Sequence, residues 1–224
     1  MNMLKSVLVG VVLSISGFAN AAIIPFGIQD NIDIATVTND WGWSLCHQES
    51  YGTSGTTIDN LFDDCTGEYV MLASGLNNSA TLDLAAAALF TEVTSYTAVN
   101  TTHLANGTEW YYNGDSMGFA PQGATIKQNS ADVNGSGQHG GSAIDATSPF
   151  RLSWHTTGGN NVNPTQIEGG WRSGTTTGLN GSSVWNRYVF TANAPAEIPE
   201  PTTLAIFGLG LLGLASRRVR KIAK

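Results

Sequence analysis

Turn-forming residues are spread so densely between Ala22 and Ile198 that this stretch favours short strands over helices. Gly, Thr, Asn and Ser fill 74 of its 177 positions. Such residues supply turns and compete with helical hydrogen bonding. Short apolar or alternating segments recur between them, which predicts strands near 33–37, 41–47, 68–74, 80–85, 92–99, 109–112, 150–156, 168–173 and 184–191. Residues Leu82 to Phe90 are ambiguous, because four consecutive alanines (85–88) favour a helical turn. Residues 129–149 and 156–183 read as long loops, the second enclosing the strand near 168–173. Many short strands with Gly-rich turns predict an all-β body, a sandwich or a jelly-roll-like arrangement. No repeat of solenoid or propeller length is visible.

The two ends differ from this body. Residues 1–21 read as a secretory signal peptide: Lys5 supplies the positive charge, Val7 to Phe18 the short apolar run, and Ala19-Asn20-Ala21 the small-x-small cleavage pattern, with the cut before Ala22. Twelve apolar residues fall short of the ~20 that span a bilayer. At the other end, Pro199-Glu200-Pro201 is stiff and extended and cannot continue a helix. Thr202 to Ser216 is uncharged and apolar, a short hydrophobic helix of about 22 Å against about 30 Å of hydrocarbon. A basic cluster follows, with Arg217, Arg218, Arg220 and Lys221. By the positive-inside tendency this cluster stays in the cytoplasm while the body is exported. The organisation expected is therefore a signal peptide (1–21), a β-rich exported body (22–191), a linker (192–198) and a tail (199–224). Gly208, Gly210 and Gly213 match G-x-G-x-x-G, but no strand, helix and acid follow at dinucleotide-fold spacing.

The run from Ile198 to Lys224 resembles the PEP-CTERM sorting signal of exported Gram-negative bacterial proteins. It has the Pro-Glu-Pro motif, the Gly- and Leu-rich apolar stretch and the terminal Arg cluster, in that order. The resemblance implies recognition of Pro199, Glu200 and Pro201 by an exosortase, a membrane-embedded cysteine transpeptidase-like enzyme. It also implies transient residence of 202–216 in the inner membrane, removal of the tail, and delivery to the cell surface or extracellular matrix. A biofilm or exopolysaccharide role follows from the resemblance alone. An ordinary C-terminal anchor is the alternative. The body, over 41–190, also resembles a domain of exported bacterial proteins of unknown function. The similar pieces are Trp41-Gly42-Trp43, Cys65-Thr66-Gly67, Trp110-Tyr111-Tyr112, Gly118-Phe119-Ala120-Pro121, Trp154-His155-Thr156 and Gly169-Gly170-Trp171-Arg172. That resemblance implies no activity. Relatives in it carry a second Cys pair near Ala131 and Ser153, which this chain lacks.

Charge and chemistry narrow the reading. The segment from Ala22 to Ile198 holds Lys127, Arg151, Arg172 and Arg187 against sixteen acids, which argues against a nucleic-acid partner that needs clustered cations. Cys46 and Cys65 lie in the exported part, where a disulfide can form, with two free buried thiols as the alternative. Trp43, Trp110, Trp154, Trp171 and Trp185 are either core or a sugar-stacking platform; Trp110, Trp154 and Trp171 are the candidate glycan-binding set. Asp132-x-Asn134-x-Ser136-Gly137 opens like a calcium loop, but Ala143 stands where a bidentate Glu belongs. Arg151, Ser153 and His155 share one face of a strand, without a nucleophile elbow. Neither metal nor cofactor is expected. The expectation is a non-enzymatic structural or adhesive protein of the surface or matrix. A carbohydrate-binding module is second, and a secreted hydrolase third.

Overall fold

A computed structural model describes residues 22–98, 100–126, 148–158 and 163–193. These form two antiparallel sheets packed face to face. The first contains β1 (Gln29–Asp33), β2 (Ser44–Ser50), β4 (Tyr69–Leu76), β5 (Thr81–Leu89) and β12 (Trp185–Ala192), in the order β1-β5-β4-β12-β2. The second contains β6 (His103–Ala105), β7 (Thr108–Tyr112), β8 (Ser116–Pro121), β9 (Leu152–Thr157), β10 (Gln166–Ser173) and β11 (Thr176–Thr177), each beside the next. Strand β3 (Thr56–Thr57) adds to the edge of β10. Two short helices occur, α1 (Ile58–Phe62) and α2 (Phe90–Val93). The body is therefore an all-β sandwich, as its composition predicts. The jelly-roll alternative does not hold, because six consecutive strands stay in one sheet as a meander instead of alternating between sheets.

Strand alternation builds the interior. Val70, Leu72, Leu84, Ala86 and Val189 of the first sheet meet Trp110, Met117, Phe119, Leu152, Trp154 and Ile167 of the second. Trp110 and Phe119 pack edge to face at 5.5 Å. Gly118 lets β8 and β9 close up, since a Cβ there would strike the Leu152 carbonyl and the Tyr111 hydroxyl. The outer face of the first sheet is covered as well. Ala22, Trp43, Met71, Ala73, Ala85, Ala87 and Phe190 form a second apolar layer, and Trp43 Nε1 donates to the Ile23 carbonyl at 2.8 Å. Strand β5 is thus buried on both faces.

That burial corrects the helical expectation for Ala85–Ala88: the alanines are strand, because two covered faces want small side chains and tertiary packing overrides propensity. Three other expectations shift. The strand expected at 33–37 lies at Gln29–Asp33, and a π-helical turn occupies Thr36–Asp40. The strand expected at 41–47 starts at Ser44, after a turn in which Gly42 takes φ +73°. No strand forms at 92–98 among the described residues; α2 ends there, and Thr97 bonds back to Tyr112. Residues 163–183, read mostly as loop, contain β10 and β11.

The two sheets are tied by polar groups held inside. Arg187, on β12, is fully buried. It donates to the Gly169 carbonyl on β10 at 2.5 Å, to Glu49 Oε1 on β2 at 2.6 Å and to the Thr53 carbonyl at 2.8 Å. Glu49 also accepts from the Thr56 hydroxyl at 2.6 Å, and His47 Nε2 lies 3.5 Å from it. Burial pushes the Glu49 carboxyl up. His47, the Arg187 guanidinium and Thr56 together outweigh this and hold it below the usual carboxylate range. Burial pulls the Arg187 value down against the attraction of Glu49. Nearby, the Tyr51 hydroxyl accepts from Trp154 Nε1 at 3.1 Å and donates to the Arg172 carbonyl. Its ring lies over Gly170, where no Cβ would fit. Burial keeps that hydroxyl well above the ordinary tyrosine value. The Ser74 and Ser173 hydroxyls meet at 2.5 Å across the interior, and Ser173 also bonds the Asp83 carboxylate.

Cys46 and Cys65 form a disulfide with a Cα–Cα distance of 5.2 Å. It joins edge strand β2 to the segment entering β4. Closing a loop of that length stabilises by about 3 kcal/mol. The Cys46→Ser/Cys65→Ser variant should therefore melt roughly 6–12 °C lower by calorimetry, and an unchanged melting point would contradict the assignment. The second expectation concerns acid. The folded Glu49 carboxyl ionises below its unfolded value, so its contribution is present above the unfolded value and is lost as pH falls through the folded one. Glu49→Gln should cost about 3 kcal/mol at pH 7 by leaving Arg187 unpaired, and should flatten the stability loss below about pH 4.5. Denaturant titrations across pH measure both.

Candidate functional site

Three features stand out on the folded body: the place where the last strand ends, the disulfide beside it, and an aromatic ledge on the outer face of the second sheet. Strand β12 lies between β4 and β2, with Ala192 opposite Tyr69. The Thr191 hydroxyl donates to the Tyr69 carbonyl at 3.2 Å and accepts from the Gly67 amide at 2.8 Å. Gly67 is forced by close approach, since a Cβ would strike the Ala192 carbonyl. The chain therefore enters residues 194–224 from a central strand bonded on both sides. A force on those residues is resisted by two ladders together. Cys46 sits on β2 beside this end of β12, where its sulfur is 3.3 Å from the Val189 carbonyl.

The second sheet carries the ledge. Leu152 and Trp154 point inward from β9, so Ser153 and His155 point outward. On β10 the register breaks twice, between Ile167 and Gly170 and between Gly170 and Arg172. These irregularities offset the alternation and leave Trp171 on the outer side, next to His155. The two rings are nearly parallel, 12° apart, with centroids at 6.1 Å. Asn180, exposed in the turn after β11, places Nδ2 3.3 Å from His155 Nδ1. Trp171 and His155 are each partly exposed.

The burial of the tryptophans corrects the glycan-binding expectation. Trp110 and Trp154 are both at 0% exposure, within the layer between the sheets, and offer no face to a sugar. Their indole N–H groups bond to Ala105 and Tyr51. Trp43 is buried under the first sheet, and Trp185 packs partly buried against the interior. Trp171 alone of the three candidates reaches the surface. Ser153, which shares the His155 face, is fully buried, so that pair presents no exposed nucleophile. Arg151 is buried too and donates to the Thr125 carbonyl at 3.1 Å.

Among the described residues no three or more His, Cys, Asp or Glu groups come together to hold a metal ion. Asp132 and its calcium-like spacing lie outside the described residues. So do Pro199, Glu200, Pro201, Arg217, Arg218, Arg220 and Lys221, as well as the signal peptide. No helix among the described residues is long and apolar enough to cross a membrane, and the apolar run 202–216 lies outside them.

Sequence reasoning missed Glu49, Arg187 and Asn180. For Arg187 a signal existed: it alternates with Trp185 and Val189 on the inward face of a strand, where a charge implies a buried partner. Glu49 and Asn180 gave none, since their neighbours in space lie far away in sequence.

The comparisons with known proteins concern the tail. No curated protein and no solved structure matches the chain, so the body's resemblance to a domain of unknown function has no counterpart there. Residues 197–221 match the family model described as the PEP-CTERM protein-sorting motif. The chain thus carries a PEP-CTERM protein-sorting motif just beyond the point where its central strand ends.

Proposed function

We propose that this chain is an exported, non-enzymatic protein of the cell surface or extracellular matrix, sorted and cut by an exosortase. The observation that carries the reading is the sorting motif at 197–221, which follows directly on strand β12. Export of the body would stop when the apolar run 202–216 enters the inner membrane. Arg217, Arg218, Arg220 and Lys221 would hold the cytoplasmic side. The exosortase would then act near Pro199-Glu200-Pro201 and release the body from its tail.

The body suits that route. The Cys46–Cys65 disulfide belongs to an oxidising compartment. The sheet edges are short or carry charge: β1 bears Asp30 and Asp33, and β6 has three residues. Such edges discourage strand addition at high local concentration. The role is structural or adhesive, within a biofilm or exopolysaccharide matrix. A carbohydrate-binding role is the second reading, and the surface position of Trp171 favours it.

Replacing Pro199, Glu200 and Pro201 with alanine in a strain that makes an exosortase tests the sorting step. The wild-type body should appear in surface and medium fractions without its tail. The variant should stay in the membrane fraction with residues 202–224 attached. Equal fractionation of the two proteins would overturn the reading.

A further inference from the structure

We propose that Trp171, His155 and Asn180 form a binding shelf for an uncharged polysaccharide. The inference goes beyond the sorting reading and stands on different observations. An indole on a sandwich normally serves the interior, as Trp43, Trp110 and Trp154 do here. Trp171 does not. The register breaks in β10 offset the alternation and leave it on the outer face. Bulges of this kind recur where a side chain is re-aimed for a site. Its buried Nε1 meets no acceptor among the described residues, so no hydrogen bond of the fold accounts for the placement. An unsatisfied buried donor in a native structure calls for such an explanation.

The geometry suits a sugar. Nearly parallel rings with centroids 6.1 Å apart are too far offset to overlap fully. The imidazole lies offset against one face of the indole and leaves part of the ring system uncovered. The C–H face of a pyranose packs on such a flat aromatic surface, and its equatorial hydroxyls project sideways. The exposed Asn180 amide stands at the rim, where it offers both a donor and an acceptor to those hydroxyls. Gly178 and Gly181 flank it with positive φ, which sets the tight turn that brings Asn180 back to His155.

Charge selects among polymers. The segment 22–198 carries sixteen acids and four basic residues, of which Arg151, Arg172 and Arg187 are buried. An acidic polysaccharide meets repulsion there, whereas a neutral one does not. An open ledge also fits a chain passing over it better than a small molecule needing enclosure.

The test uses the purified full chain in detergent micelles and affinity electrophoresis in gels containing dextran, mixed-linkage β-glucan or galactomannan. At least one of these should retard the wild type in a concentration-dependent way. Trp171→Ala should weaken that retardation about tenfold or more, as for truncation of an aromatic hot spot. Asn180→Ala, at an exposed position that leaves the fold intact, should weaken it several-fold. Near-UV circular dichroism checks that each variant is folded. Three outcomes overturn the proposal: no retardation by any of the three polymers, retardation unchanged in both variants, or stronger retardation by alginate than by every neutral polymer. None of these touches the sorting reading, which is judged by fractionation alone.

Discussion

Strand β12 is the constraint on which the rest of the structure depends. It is the last strand among the described residues, yet it lies inside the first sheet, bonded to β4 on one side and β2 on the other. Without it β2 has no partner in the sheet, and the disulfide at Cys46 loses the strand that positions it. β12 also carries Arg187, whose guanidinium reaches the second sheet at Gly169 and the edge strand at Glu49. A buried cation is destabilising unless fully partnered. The Nη groups of Arg187 find their acceptors only when both sheets and β2 are in place, while its Nε has no partner among the described residues. The sandwich is thus complete only with β12 in place, through contacts as distant in sequence as Cys46 and Val189.

The same strand joins fold to fate. The sorting motif begins a few residues after Ala192, so it follows a strand at the centre of a sheet and not a peripheral loop. The end of β12 is held in two hydrogen-bonded ladders. The close contact of Gly67 with Ala192 and the double bonding of Thr191 reinforce that end. A disulfide beside the exit restrains β2, the outer of the two neighbours of β12.

Much of this was legible in the sequence, for physical reasons that differ from part to part. Leu152–Thr157 is legible because its apolar residues alternate, whereas Tyr69–Leu76 and Trp185–Ala192, covered on both faces, are legible as short apolar and aromatic runs. The sorting tail could be read because its three parts are contiguous. Strand β5 was obscured by Ala85–Ala88, whose preference for helix yields to burial on two faces. Strand β8 was missed because Gly118 weakens its pattern. The need for that glycine comes from β9, more than thirty residues later. Two residues of the ledge are legible, Trp171 as a stacking candidate and His155 on the outward face of its strand; Asn180 is not, and Trp110 and Trp154, grouped with Trp171 as candidates, belong to the interior. Alternation alone does not tell which face of a strand the second sheet will cover, and the register breaks that free Trp171 have no local signature beyond Gly169-Gly170.

We propose that the disulfide-closed sandwich is made at one side of a membrane and separated there from its tail, and intact-mass spectrometry of the native protein from membrane, surface and medium fractions measures this. A surface or medium species should begin at Ala22, end close to Pro199-Glu200-Pro201, and be lighter than the reduced chain by the two hydrogens of one disulfide. A species that retains Lys224 and occurs only in the membrane fraction would contradict it.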